Sequence, residues 1–130
     1  MTAIPPLKGA LPKKIHLHKK SKTLEIGYAD NSFTLSAEYL RVHSPSAEVK
    51  GHGKPVLQIG KQHVGIQQIE SVGTYAIRIH FDDGHNTGLY TWDYLFELCH
   101  NQDRIWQEYL DALVAAGKFR DPDTKEVTLR

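Results

Sequence analysis

The chain has 130 residues, 40% of them apolar and 24% charged, with a formal net charge of +1. A chain of this size closes around one core, which excludes a pair of full-sized domains, and its apolar content and low net charge exclude a disordered chain. Its single cysteine excludes an intrachain disulfide or an all-cysteine metal centre, and no apolar run is long enough to span a membrane.

Residues 1–12, with Pro5, Pro6, Gly9 and Pro12, read as an irregular lead-in without the apolar stretch of a secretory signal, so a cytoplasmic location is expected. The charge is uneven: residues 1–22 carry six lysines, Lys8, Lys13, Lys14, Lys19, Lys20 and Lys22, and no acid, whereas residues 23–130 carry ten basic against fifteen acidic residues. The basic arm has neither aromatic stacking platforms nor a dense arginine face. It reads as a solvated face, and no specific nucleic-acid partner is expected.

The folded body is expected over residues 13–117. Ile15 and Leu17 alternate with His16 and His18, and Leu24, Ile26 and Tyr28 alternate with Glu25 and Gly27, the period of strands. Asp30-Asn31 turns the chain toward Phe33 and Leu35, giving a hairpin or meander. Ser36 is placed to cap a short helix through Arg41, and Pro45 bars its continuation. Val56 to Ile59 and Val64 to Ile69 are short strand candidates. Tyr75, Ile77, Ile79 and Phe81 share one face of a clearer strand, with Ala76, Arg78 and His80 on the other. After the Asp83-Gly84 turn, Gly88-Leu89-Tyr90 starts a return strand and Thr91 caps a helix carrying Trp92, Leu95, Phe96 and Cys99. Asn101 caps the last helix, whose stripe is Ile105, Trp106, Tyr109, Leu110, Leu113 and Val114, and Gly117 ends it. Residues 118–130 read as a polar tail. Strands first and helices last predict an α+β fold: a mainly antiparallel sheet, a short helix after the first strands and two C-terminal helices packed on one face.

Candidate chemistry is sparse. His16 and His18 could face one cation, but two ligands are half a site, and polar residues belong on that face in any case. His80-Phe81-Asp82 contains the H-x-D part of a 2-His-1-carboxylate iron site; the chain is too short for the barrel such oxygenases use, and a polar strand face explains it. Cys99 sits on an apolar stripe near acids, the setting of a core cysteine rather than a reactive one. Gly51-His52-Gly53 is too short to cradle a phosphate, and no phosphate loop or nucleophile elbow is present.

Three segments carry a resemblance: Leu40-Arg41-Val42-His43-Ser44-Pro45-Ser46-Ala47-Glu48, Val72-Gly73-Thr74-Tyr75-Ala76-Ile77, and Asp82-Asp83-Gly84-His85-Asn86-Thr87-Gly88-Leu89-Tyr90-Thr91-Trp92-Asp93-Tyr94-Leu95. In this order and spacing the chain resembles the gamma-butyrobetaine-hydroxylase-like N-terminal domain family over about residues 13–100. The resemblance implies three contexts: fusion to a 2-oxoglutarate oxygenase domain, attachment to P-loop iron–sulfur carriers, or small stand-alone bacterial proteins of unassigned function. Only the last suits a chain of this length, so hydroxylase activity is not expected. Hydroxylase members carry a C-x-C-x-x-C run that, with the His of Asp-Gly-His, forms a structural zinc site. Here those positions are Ser44, Ser46 and Val49, and only His85 remains, so neither that zinc site nor a cofactor is expected.

The resulting expectation is a non-catalytic binding or accessory domain that docks a protein partner, in iron–sulfur or oxygenase metabolism, through a polar-aromatic patch of Arg41, His43, Asp83, His85, Tyr90 and Trp92. A competing reading keeps Tyr90 and Trp92 in the core, with His85 bracing its turn. The alternative from another class is a metal-binding protein or small enzyme with an open site around His43, Asp83 and His85.

Overall fold

A computed structural model describes residues 11–51 and 53–124; residues 1–10 of the lead-in with Lys8, His52 of the Gly51-His52-Gly53 run, and residues 125–130 of the tail lie outside the described residues. The alternating first half forms a meander of β1 (Lys14–His18), β2 (Thr23–Gly27) and β3 (Ser32–Ser36), antiparallel throughout. Its register sets His16 opposite Glu25 and Leu24 opposite Leu35. Ser36 then starts α1 (Ala37–Val42) by accepting a hydrogen bond from the Tyr39 N–H, and Ser46 caps α2 (Ala47–Lys50) through the Val49 N–H.

A second antiparallel sheet follows, β4 (Ile66–Val72), β5 (Ala76–Phe81) and β6 (Leu89–Thr91), in the order β4-β5-β6. Thr91 caps α3 (Trp92–His100), and α4 (Gln102–Ala116) ends at Gly117 in the left-handed conformation. The α+β class is as expected, with the strands divided between two three-stranded sheets. Among the described residues, no helix is long and apolar enough to cross a membrane.

Both sheets contribute to one core. Leu24, Ile26 and Leu35 from the first meet Ile66, Ile77, Ile79 and Phe81 from the second, with Leu40 of α1 and Leu95, Leu98 and Cys99 of α3. Burying a side chain of this kind is worth roughly 1.5–3 kcal/mol, so this shared core holds the sheets together. The helix α4 adds a smaller cluster of Val42, Tyr109 and Leu113.

Four local expectations are corrected. Val56 to Ile59 is irregular, with Val56 and Ile59 exposed. Tyr75 precedes β5 in the turn and is 52% exposed, so the core face begins at Ile77. Val114 is 81% exposed, because the covered stripe of α4 runs through Ile105, Trp106, Tyr109, Leu110 and Leu113 and leaves Val114 outside it. Asn101 makes no side-chain cap; its backbone serves both helices, accepting from the Ile105 N–H and donating to the Glu97 carbonyl.

The start of the tail is docked. The Gly60 and Gln62 N–H groups donate to the Phe119 and Arg120 carbonyls, and the Arg120 guanidinium grips buried Glu38 with two bonds of 2.8 and 2.7 Å.

Candidate functional site

The Asp-Gly-His turn leaves β5 at Phe81 and folds tightly, with the Phe81 N–H donating to the His85 carbonyl and Gly84 at a φ of 91° that favours glycine. This brings Asp83 beneath α1. One Asp83 oxygen accepts from Arg41 Nε at 2.9 Å and from Lys61 Nζ at 2.7 Å, and the other accepts from the His85 N–H at 3.1 Å. Arg41 is only 7% exposed and also donates to the Gln58 amide oxygen at 3.0 Å. Burial on its own would raise the Asp83 pKa; the bonds from Lys61, the His85 backbone and Arg41 outweigh it and hold the carboxyl at about 2.

His85 points to the other motif segment, its Nε2 hydrogen-bonded to the Ser44 hydroxyl at 2.8 Å. Burial and the neighbouring Arg41 charge lower its pKa and favour the neutral ring. Ser44 is itself buried, accepts from the Ser46 N–H, and is crowded by Gly88, where a Cβ would strike its hydroxyl. Close approach of the two segments therefore requires glycine at that position.

The remaining motif side chains satisfy the carbonyls that a helix leaves open at its C-terminal end. His43 Nδ1–H donates to the Tyr39 carbonyl at 2.8 Å, the Tyr90 hydroxyl to the Leu40 carbonyl at 2.6 Å, and the Tyr94 hydroxyl to the His43 carbonyl at 2.6 Å. Tyr90 is fully enclosed, and burial pushes its pKa up. His43 lies between the Tyr39 and Tyr109 rings, and burial lowers its pKa. Trp92 is half-buried, donates to the Thr74 carbonyl and borders a depression with Leu11, Pro12, Lys14 and Ile15.

The six expected patch residues thus divide. Arg41, Asp83 and His85 form one network with Ser44, Lys61 and Gln58. His43 and Tyr90 brace α1, and Trp92 borders a separate depression. Among the described residues, the donor atoms that converge within 4.8 Å belong to His16, His18 and Glu25; His43, Asp83 and His85 bond instead to the Tyr39 carbonyl, to Arg41 and Lys61, and to Ser44. Nor do the positions of the zinc run fit zinc: the Ser44 hydroxyl occupies the His85 nitrogen that would ligate, the Ser46 hydroxyl caps α2, and Val49 is apolar and buried.

Beside this network opens a groove of about 590 Å³ between the segment around α2 and the surface of β6 and α3. Pro45, Leu89 and Phe96 give it apolar walls, Asp93 and Glu97 line it with acid, and Lys50 stands at its edge among its lining residues. Pro45, Leu89, Thr91, Asp93 and Tyr94 belong to the two motif segments, but the groove itself forms only when those segments, some 50 residues apart, come together with Phe96 and Glu97.

A buried short helix, tied to the turn after β5 by the Arg41–Asp83–Lys61 ion triad, to β6 by the Tyr90–Leu40 bond and to α3 by the Tyr94–His43 bond, defines an α+β domain class with most of its motif side chains engaged internally. The family model described as gamma-butyrobetaine hydroxylase-like, N-terminal matches residues 15–96, and the chain belongs to that family. It is similar to two proteins with NMR solution structures. One is 56% identical at a TM-score of 0.82, over 92% of this chain and 97% of the other. The second is 45% identical at a TM-score of 0.76, over 98% and 100%. It is also similar to the crystal structure of a DUF971-family protein of unknown function from Acidithiobacillus ferrooxidans ATCC 23270, at 36% identity and a TM-score of 0.57, over 73% of this chain and 97% of that one. No curated protein matches.

Proposed function

We propose that this chain is a non-catalytic accessory module that docks a protein partner, with the groove lined by Pro45, Leu89, Asp93, Phe96 and Glu97 as the docking face. The observation that carries the non-catalytic reading is the commitment of the motif's ionisable groups to internal partners: Asp83 to Arg41 and Lys61, His85 to Ser44, and His43 to the Tyr39 carbonyl. A catalytic group must meet a substrate, whereas these meet the fold. The groove beside them combines apolar walls with two carboxylates, which suits a partner segment presenting an apolar anchor flanked by lysine or arginine. A cytoplasmic setting in iron–sulfur or oxygenase metabolism is the part of this reading that rests on family membership.

The test is affinity capture followed by reconstitution. A partner recovered with the wild-type chain is purified and titrated against wild type and the Asp93→Lys/Glu97→Lys variant. Docking through the groove predicts saturable 1:1 binding that charge reversal abolishes. Binding unchanged by the double reversal would remove the groove from the interface.

A further inference from the structure

We propose that His16, His18 and Glu25 form a binding site for a divalent transition-metal ion on the outer face of the first sheet. The site is separate from the Ser44–His85 pair and independent of the docking reading. Period-two geometry turns both imidazoles of β1 to the same face, while Ile15 and Leu17 pack toward the core. The antiparallel register then adds what residue spacing along one strand cannot: Glu25 of β2 stands directly opposite His16. His18 Nε2 already lies 3.1 Å from Glu25 Oε1, and one donor atom from each of the three residues lies within 4.8 Å of the other two.

Ligands at 2.0–2.2 Å around a tetrahedral ion stand about 3.4 Å apart, so modest rotation of these side chains closes the set. His16 and His18 are exposed, and neither is buttressed by core packing that would resist the rotation. Two imidazoles and one carboxylate match the borderline ions zinc, nickel and copper, and not magnesium or calcium, which take oxygen shells. Three protein ligands leave a coordination position open to water. One neighbour opposes binding: Lys14 Nζ lies 3.8 Å from the second Glu25 oxygen and competes with the cation for the carboxylate. Its side chain is half-exposed, so it can swing into solvent when the ion arrives.

The experiment is titration of the tag-free full chain with zinc chloride, followed by calorimetry and by ¹H–¹⁵N NMR. The expected result is saturation at one equivalent, with shift changes centred on residues 14–18 and 23–27. His16→Ala/His18→Ala lowers affinity by roughly tenfold or more, and Glu25→Gln also weakens it, as loss of a direct ligand must cost at least what outer-shell changes cost. Lys14→Gln tightens binding, an effect that no purely structural role of these residues produces. His63→Ala, an exposed histidine outside the set, leaves binding unchanged. Amide dispersion in each variant reports that it is folded. No saturable binding, unaltered affinity in the double histidine variant, or shift changes centred elsewhere would each overturn the assignment.

Discussion

The Ser44 hydroxyl and His85 Nε2 stand 2.8 Å apart, across 41 residues of sequence, and join the two motif segments by a direct hydrogen bond. A metal-bound version of this contact would contribute folding energy through the ion. Here the contact is made by neutral groups, with Gly88 permitting the approach.

Folding of this chain is therefore expected without a metal at this position. In excess chelator the protein is expected to keep a cooperative thermal transition and dispersed amide resonances. Ser44→Ala, which leaves the buried side of His85 without its partner, should cost about 1–3 kcal/mol in urea denaturation. Collapse of the amide spectrum on chelation would contradict this account.

Asp83 yields a prediction with a definite pH window. Its carboxyl is held at about 2, below the ordinary 3.8. A group depressed on folding contributes stability that is full above its unfolded value and is lost as pH falls through its folded value. Asp83→Asn also strands Arg41, whose side chain is 8% exposed, and should cost about 2–4 kcal/mol at pH 7. The gap between wild type and variant should narrow as pH drops from about 4 toward 2. A gap independent of pH would mean that the carboxylate's charge is not what matters.

The local half of this architecture was legible in the residues. Alternation marked β1, β2 and β5, and Ser36, Thr91 and Gly117 marked helix ends, because each signal acts within a few positions of itself. What failed was governed at long range. Val56 to Ile59 has the apolar content of a strand but no neighbouring strand to pair with, and Val114 continues a helical stripe past the point where the fold covers it. At the site, the family motifs pointed to Arg41, Asp83 and His85, whereas Lys61, Gln58 and the acidic groove enter only through folding. The sequence leaves Tyr90 open between patch and core. The fold buries it completely and spends its hydroxyl on a carbonyl 50 residues away.

His43 sets a second pH window, above that of Asp83 and still on the acid side of neutrality. Burial between Tyr39 and Tyr109 lowers its pKa below the ordinary 6.5, so the folded state resists the proton that the unfolded chain accepts. Stability is complete above the unfolded value and falls as pH drops below it. His85 acts with the same sign through burial and Arg41. The urea midpoint should therefore decline from pH 7 to pH 5. His43→Gln should flatten that decline in part, and the change should persist in high salt because desolvation is its main cause. An unaltered slope would assign the titration elsewhere.

The last prediction concerns the clasp that holds the start of the tail. Trp106 of α4 packs its ring 5.2 Å from Tyr109 and 6.1 Å from Tyr39, and the Arg120 guanidinium lies 5.2 Å above it while gripping Glu38. The tryptophan thus ties α4 to α1 and to the start of the tail. Because the ring is only partly buried, Trp106→Ala should cost about 2–4 kcal/mol, somewhat below the 3–5 of a fully enclosed aromatic. Arg120→Ala leaves Glu38 buried and unpaired, but the arginine's own exposure screens the pair, so about 2 kcal/mol is expected. Glu108→Ala breaks only an exposed i,i+4 pair with Arg104 and should cost under about 0.5 kcal/mol. The two large effects should not add. Each removal takes away part of the other's partner, and a double-mutant cycle should return a coupling of about 0.5–2 kcal/mol. Limited proteolysis gives an independent readout: with Arg120→Ala, cleavage after Lys118 should accelerate relative to cleavage within the sheets. Additive energies and unchanged cleavage would show that the tail and α4 are held separately.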